Sequence, residues 1–387
     1  MADPQLPEDV LIEILIRLPV KFIVKLRCVS RTWRDLIGSP IFIHRYQNRE
    51  RKQSVLLVKR YLMQNNGLEP MISFHHPDFP ELLVSPNLSL PVLPDLDFRF
   101  PPRIYSDVQM YGPCNGLVCI PFVDIIFLCN PALREFKPLP PLNIPCPKGY
   151  GVFPYEFGFG FDPNTGAYKV IQISQIASDN WDDFVRKQDH YSRIDLYNSA
   201  SNSWKRIDAK LPEMVYARSF QIFFSGVLHW FAWIDSSENH PCILCFDIRT
   251  EAFLLLAFPA DFPKSEDDIS SLMVLNESLA MVRYPQWSEE SGPTEIEIWV
   301  MKQYGEKDSW TKQFVIGPYM VVCPLLFLND EWLLVESENG QLAVCALEGN
   351  QFVGLQFYGI GFKWSAVVYE ESLISLNHII SGDPEKE

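Results

Sequence analysis

A short polar turn recurs along this chain between apolar runs, and it limits the folds open to the chain more than any other feature. It appears as Asn130-PALRE-Phe136, Asp162-PNTGA-Tyr168, Asn198-SASNS-Trp204 and Asp247-IRTEA-Phe253. In each copy an Asn or Asp closes one apolar run, and an aromatic residue opens the next six positions later. An Asn or Asp side chain can accept a hydrogen bond from the backbone just ahead of it, and Pro, Gly, Ser and Thr favour tight turns. Alternating apolar positions on both sides then predict a β-hairpin.

Looser copies follow Met301, through a longer turn to Trp310, and Ala346, through LEGNQ to Phe352. Turn starts at 130, 162, 198, 247, 301 and 346 are 32 to 54 residues apart. Further strands with their own turns precede several copies, at Asn115-Gly116, Ser225-Gly226 and Asn329-Asp330. Three or four strands in roughly 40–50 residues, recurring about six times, predict a β-propeller.

The N-terminus follows a different period. From Leu6 to Phe42 the chain reads LPEDVLIEILIRLPVKFIVKLRCVSRTWRDLIGSPIF. Pro7 suits a helix start, and Glu8 and Asp9 follow where the helix dipole favours negative charge. At about 100° per residue, Val10, Ile14, Leu18, Leu11 and Leu15 fill one broad arc, which Ile12 and Ile16 widen past half the circumference. Leu18-Pro19 breaks this helix. A second runs from Val20 to Val29, and Ser30 caps a third, short helix carrying Trp33, with Gly38 and Pro40 closing it. Burying each large aliphatic contributes roughly 1.5–3 kcal/mol. Helices apolar on more than one side therefore call for a protein partner, with a helical cap on the larger domain as the alternative.

The pattern L-P-E-D, helix, L-P, apolar helix, C-V-S-R-x-W resembles an F-box. The resemblance implies docking on a Skp-type adaptor, and through it on a cullin and a RING subunit of an SCF ubiquitin ligase. Carried over by position, the adaptor-facing set is Leu6, Pro7, Ile14, Leu15, Leu18, Pro19, Val20, Leu26 and Val29, with Trp33 bracing the third helix. Downstream, YGPCNGLVCI, LCNPALREFKPLP, GFGFDPNTGAYKV and SGVLHWFAW resemble the F-box-associated domain of plant F-box proteins, and most of all S-locus F-box and S-locus F-box-like proteins. No Gly-Gly doublet occurs, so true kelch repeats are only approximated. The fold expected is α+β and multidomain: a small three-helix F-box over 1–50, a linker and first strands with Pro-rich loops over 51–110, and a large all-β, propeller-like domain of about six blades over 111–387.

The net charge of −15 is unevenly placed. Residues 1–50 hold eight Lys/Arg against six Asp/Glu, leaving 25 against 42 in the rest. An acidic large domain argues against nucleic acid, which requires clustered Lys and Arg, and suits a basic protein partner. The S-locus resemblance implies, as that partner, a basic pollen-rejection ribonuclease. Nine cysteines, several within apolar runs, fit a reduced compartment. Charges interrupt the N-terminal apolar positions, so no signal peptide or membrane span is expected. These features place the chain in the cytosol, with the nucleus as an alternative.

Catalytic and cofactor fingerprints are missing from the sequence: there is no G-x-S-x-G, no H-E-x-x-H, no phosphate loop and no dinucleotide glycine motif. No metal and no cofactor are expected. Pro241-Cys242-Ile243-Leu244-Cys245 imitates half of a zinc deaminase signature, yet it sits in a strand-like run where positions three apart point to opposite faces. The expected role is a non-catalytic substrate receptor, and an adaptor-bound scaffold without a degraded client is the rival. Loops that break the repeat carry the expected client contacts, Asp179, Trp181, Asp182, Asp183 and Trp287.

Overall fold

The computed structural model describes residues 6–49, 54–64, 67–75, 109–121, 125–178, 191–209, 211, 214–215, 221–233, 241–259, 262, 268–285, 292–355 and 364–380. Four helices come first: α1 (Glu8–Leu15), α2 (Val20–Leu26), α3 (Arg31–Gly38) and α4 (Pro40–Gln47). Three were expected. The fourth arises because Pro40 does not end the helical region but opens a new helix, with Ser39 accepting a hydrogen bond from the Phe42 N–H at 3.2 Å. Ser30 caps α3 in the same way, through the Trp33 N–H at 3.1 Å.

Everything after the helices is β-sheet apart from a short 3-10 turn and a C-terminal helix, α5 (Leu376–Ile380), among the described residues. The strands form six sheets arranged as blades. Blade 2 runs through Tyr111–Cys114, Leu117–Pro121, Ile126–Asn130 and Glu135–Pro138. Blade 3 follows with Tyr150–Asp162, Ala167–Ser178, Tyr191–Asn198 and Ser203–Ile207. Blade 4 is built on Ile222–Phe224, Val227–Trp233, Pro241–Asp247 and Ala252–Ala257, with Met214–Val215 pairing beside them. Blade 5 uses Asp268–Leu275, Ser278–Pro285, Thr294–Met301 and Trp310–Tyr319, and blade 6 uses Val321–Phe327, Trp332–Ser337, Leu342–Ala346 and Phe352–Gly354.

Blade 1 closes the ring. Its outer two strands, Ser54–Gln64 and Gly67–His75, come from the start of the β region, and its inner strand, Ser365–Glu370, comes from the end of the chain. The inner strands of successive blades touch in a closed circuit, from Ser365–Glu370 through blades 2 to 6 and back. Blade number was legible, though not by the expected tally. Turn starts at Asp162 and Asn198 lie in one blade, and the composite blade 1 holds none of the six turn starts.

The repeat turns work as their composition predicts. Asn130 accepts from the Leu133 N–H at 3.2 Å, Asp162 from Asn164 at 3.0 Å, Asn198 from Ala200 at 2.8 Å and Asp247 from Arg249 at 2.8 Å. Four residues after each start the backbone turns left-handed, at Arg134, Gly166, Asn202 and Glu251. The looser copies do the same at Gly305 and Asn350. That conformation disfavours a side chain, and Glu251 is held in it by contacts of its own. Its carboxylate accepts from Lys169 Nζ at 3.0 Å and from Lys205, while Lys169, almost fully buried, also donates to Asp162 and to the Ile248 carbonyl. This clamp ties blade 3 to blade 4.

Six apolar cores lie between the six neighbouring pairs of blades. Middle strands therefore bury both of their faces, which is why strands such as PCILCFD read as continuous apolar runs. Cys242, Leu244 and Phe246 pack toward blade 3, whereas Ile243 and Cys245 pack toward blade 5. The two thiols thus point away from each other, and no cluster of three or more potential metal ligands occurs among the described residues. No helix is long and apolar enough to cross a membrane among the described residues.

Candidate functional site

The helical unit has its own core, made by Ile12, Leu15, Val20, Ile23, Ile37, Phe42 and Tyr46. The Tyr46 hydroxyl donates to the Leu18 carbonyl at 2.9 Å, so α4 is tied to the break between α1 and α2. This core leaves two apolar stripes outside. Val10 and Ile14 on α1, with Leu6 just before its start, are 43%, 49% and 59% exposed at four-residue spacing. Phe22 on α2 and Val29, in the turn after it, are 52% and 65% exposed, with half-buried Leu26 between them. Residues spaced by three or four share a helix face, so each stripe is continuous. Ile41, at the start of α4, is 66% exposed as well.

The structure corrects part of the expected docking set. Leu15 and Val20 are 2% and 0% exposed and belong to the interior. They face inward because α1 must bury one arc against α3 and α4, and that arc is Ile12 and Leu15 rather than Ile14. Leu6, Pro7, Ile14 and Val29 lie on the outside, while Leu18, Pro19, Leu26 and Trp33 are half-buried. Two further exposed apolar residues, Val10 and Phe22, were not in the expected set. Their four-residue spacing from Ile14 and Leu26 was the available signal, but on a helix apolar nearly all round it does not say which arc faces in.

The helical unit is also fixed to the ring. Leu373, in the segment after the last strand, inserts into the helical core, and Ala132 and Leu133 from a blade 2 turn pack beside it. Gly116 allows the close approach, since a Cβ there would sit 2.2 Å from that of Ser372. The helices therefore sit at the end of the ring that carries the hairpin turns of blade 2. Because neighbouring strands are antiparallel, the second strands end and the third strands begin at the opposite end. Blade 3 strands end there at Ser178 and Tyr191, and blade 5 strands at Pro285 and Thr294. The expected client contacts Asp179, Trp181, Asp182, Asp183 and Trp287 fall in those two connections and lie outside the described residues.

A helical module with exposed apolar stripes, seated on a closed six-bladed ring, defines a β-propeller protein with a separate N-terminal helical unit. The chain belongs to the F-box proteins with an F-box associated beta propeller domain. The propeller family matches residues 86–372 and the F-box domain residues 4–45. Similar proteins include F-box protein CPR1 of Arabidopsis thaliana, 26% identical over 95% of this chain and 88% of the relative. F-box protein At3g07870 of the same plant is 27% identical, with 90% and 82% covered. F-box/kelch-repeat protein At3g23880, also from Arabidopsis thaliana, is 25% identical, with 97% and 96% covered.

Proposed function

We propose that this chain is the substrate receptor of an SCF-type ubiquitin ligase and does no chemistry itself. The observation that carries the reading is the pair of apolar stripes, Leu6-Val10-Ile14 and Phe22-Leu26-Val29, left outside a core already filled by the helices together with Leu373. Such a surface suits a Skp-type adaptor, which would link the chain to a cullin and a RING subunit. The ring would hold a client at its far end, and a fixed geometry would make ubiquitin transfer effectively intramolecular.

An acidic ring suits a basic client, and the S-locus resemblance extends the proposal to a basic ribonuclease. The proposed compartment is the cytosol, with the nucleus as the alternative. Reconstitution with adaptor, cullin and RING subunit, followed by detection of ubiquitin on co-purified proteins, tests the reading. Adaptor binding with no modified client would favour the scaffold, and no adaptor binding would overturn both.

A further inference from the structure

A cleft of about 860 Å³ opens between blades 2 and 3, and nothing in the docking of the helices uses it. Its volume lies in the range of roughly 300–1,000 Å³ typical of ligand pockets. Ile125, exposed just before the strand Ile126–Asn130, lines the cleft and lies toward the end of the ring opposite the helices. Leu142, Ile144, Phe157, Trp204 and Gln172 are among the residues that line the cleft.

The walls are built before any ligand arrives. The segment from Pro138 to Pro145 contains four prolines, whose fixed backbone angle limits movement. The Trp204 indole N–H donates to the Pro140 carbonyl at 2.8 Å, and the Leu139 N–H donates to Ile126 at 2.8 Å. No charged residue lines the cleft among the described residues. Its polar groups are Asn143, exposed on the wall, and Gln172, only 7% exposed.

Gln172 gives the cleft its selectivity. Its amide Nε2 donates to the Ser174 hydroxyl at 2.9 Å, which fixes the amide plane, while its Oε1 meets no donor among the described residues. An acceptor in apolar surroundings discriminates strongly for a ligand that brings a donor and against the analogue lacking one. We propose that this cleft takes an aromatic side chain bearing a hydrogen-bond donor, tyrosine or tryptophan, from an extended client segment, with Gln172 Oε1 accepting the bond. The identity of the occupant as a client rests on the receptor reading above; the chemistry of the cleft does not.

The test is saturation-transfer NMR on the full chain with N-acetyl-tyrosinamide, N-acetyl-tryptophanamide and N-acetyl-phenylalaninamide. Wild type should bind the first two at least about fivefold more tightly than the third. Leu142→Glu, on a half-exposed wall, should abolish transfer to all three, and Gln172→Leu should bring the tyrosine probe down to the phenylalanine level. Transfer that is absent in wild type, equal for tyrosine and phenylalanine, or unchanged by Leu142→Glu would overturn the proposal. Adaptor capture by Leu142→Glu, measured in parallel, reports separately on the receptor reading and should be unaltered.

Discussion

The phenol oxygen of Tyr369, on the last strand, lies 3.3 Å from the side-chain oxygen of Asn130, the residue that opens the blade 2 turn. The same hydroxyl is 3.2 Å from the Gly116 carbonyl and accepts from the Ala132 N–H at 3.2 Å. Asn130 Nδ2 in turn donates to the carbonyls of Ser372 and Ile374, at 3.1 and 2.7 Å. A few residues on, Glu135 accepts from the Ser375 hydroxyl and the Leu376 N–H, which starts α5. Between these two grips Leu373 enters the helical core. Closure of the ring and seating of the F-box helices are thus one event, made by the final strand and the residues after it.

Tyr369→Phe keeps the ring of the side chain and removes only the hydroxyl, leaving the Ala132 N–H and the Gly116 carbonyl without it. A buried group deprived of its partner costs about 1–3 kcal/mol. Denaturant unfolding should show a loss in that range, with adaptor capture retained. A change below about 0.3 kcal/mol would mean that the apolar packing of Tyr369 alone closes the ring.

Ile14 and Leu15 are neighbours in sequence with opposite surroundings, and substitutions should separate them. Ile14→Asp, on the exposed stripe, should weaken adaptor binding by about 30-fold or more, as for a hot-spot residue, with stability within about 0.5 kcal/mol of wild type. Leu15→Ala should instead cost about 2–5 kcal/mol in stability through the cavity it leaves. Binding isotherms and unfolding curves on both variants check this, and an Ile14→Asp chain that still captures the adaptor would remove the stripe from the docking surface.

The repeat turns carried the propeller into view because an Asn or Asp at a turn acts locally, through its own backbone, and needs no partner from elsewhere. Blade 1 was hidden for the converse reason: it joins strands more than 290 positions apart, Val55 opposite Tyr369, and no local pattern marks that pairing. The same limit applied to the helices. Composition showed that more apolar surface existed than one arc could hide, but Ile12 against Ile14 was settled only by Phe42 and Tyr46, on a helix beginning at the Pro40 that was expected to close the third.

His229 is fully buried in blade 4, with Nε2 2.8 Å from the Tyr304 hydroxyl and Nδ1 3.2 Å from the Ile222 carbonyl. Burial lowers its pKa to about 4, against the backbone contacts that raise it. The folded value lies below the unfolded one of about 6.5, so stability is fully present above pH ~6.5 and falls as acid protonates the unfolded chain. The slope is about 1.4 kcal/mol per pH unit between those values. His229→Gln should remove this contribution from the stability profile, and a profile unchanged by the substitution would show that another group controls it.

Glu156 pulls the other way. It is 2% exposed on the inner strand of blade 3, and its Oε1 meets no donor among the described residues. Burial raises its carboxyl well above the usual range, more than the Phe157 N–H lowers it. The folded chain therefore keeps a proton that the unfolded chain gives up above pH ~4.3, and stability declines with rising pH by about 1.4 kcal/mol per unit. Above pH ~4.3 Glu156 and His229 pull stability in opposite directions until Glu156 ionises in the folded chain. Glu156→Gln should leave a chain whose stability falls with acid below pH ~6.5. His229→Gln should leave one whose stability rises with acid. Unfolding free energies at pH 4.5, 5.5 and 6.5 for the two variants distinguish the signs, and parallel profiles would mean that Glu156 is ionised in the folded ring.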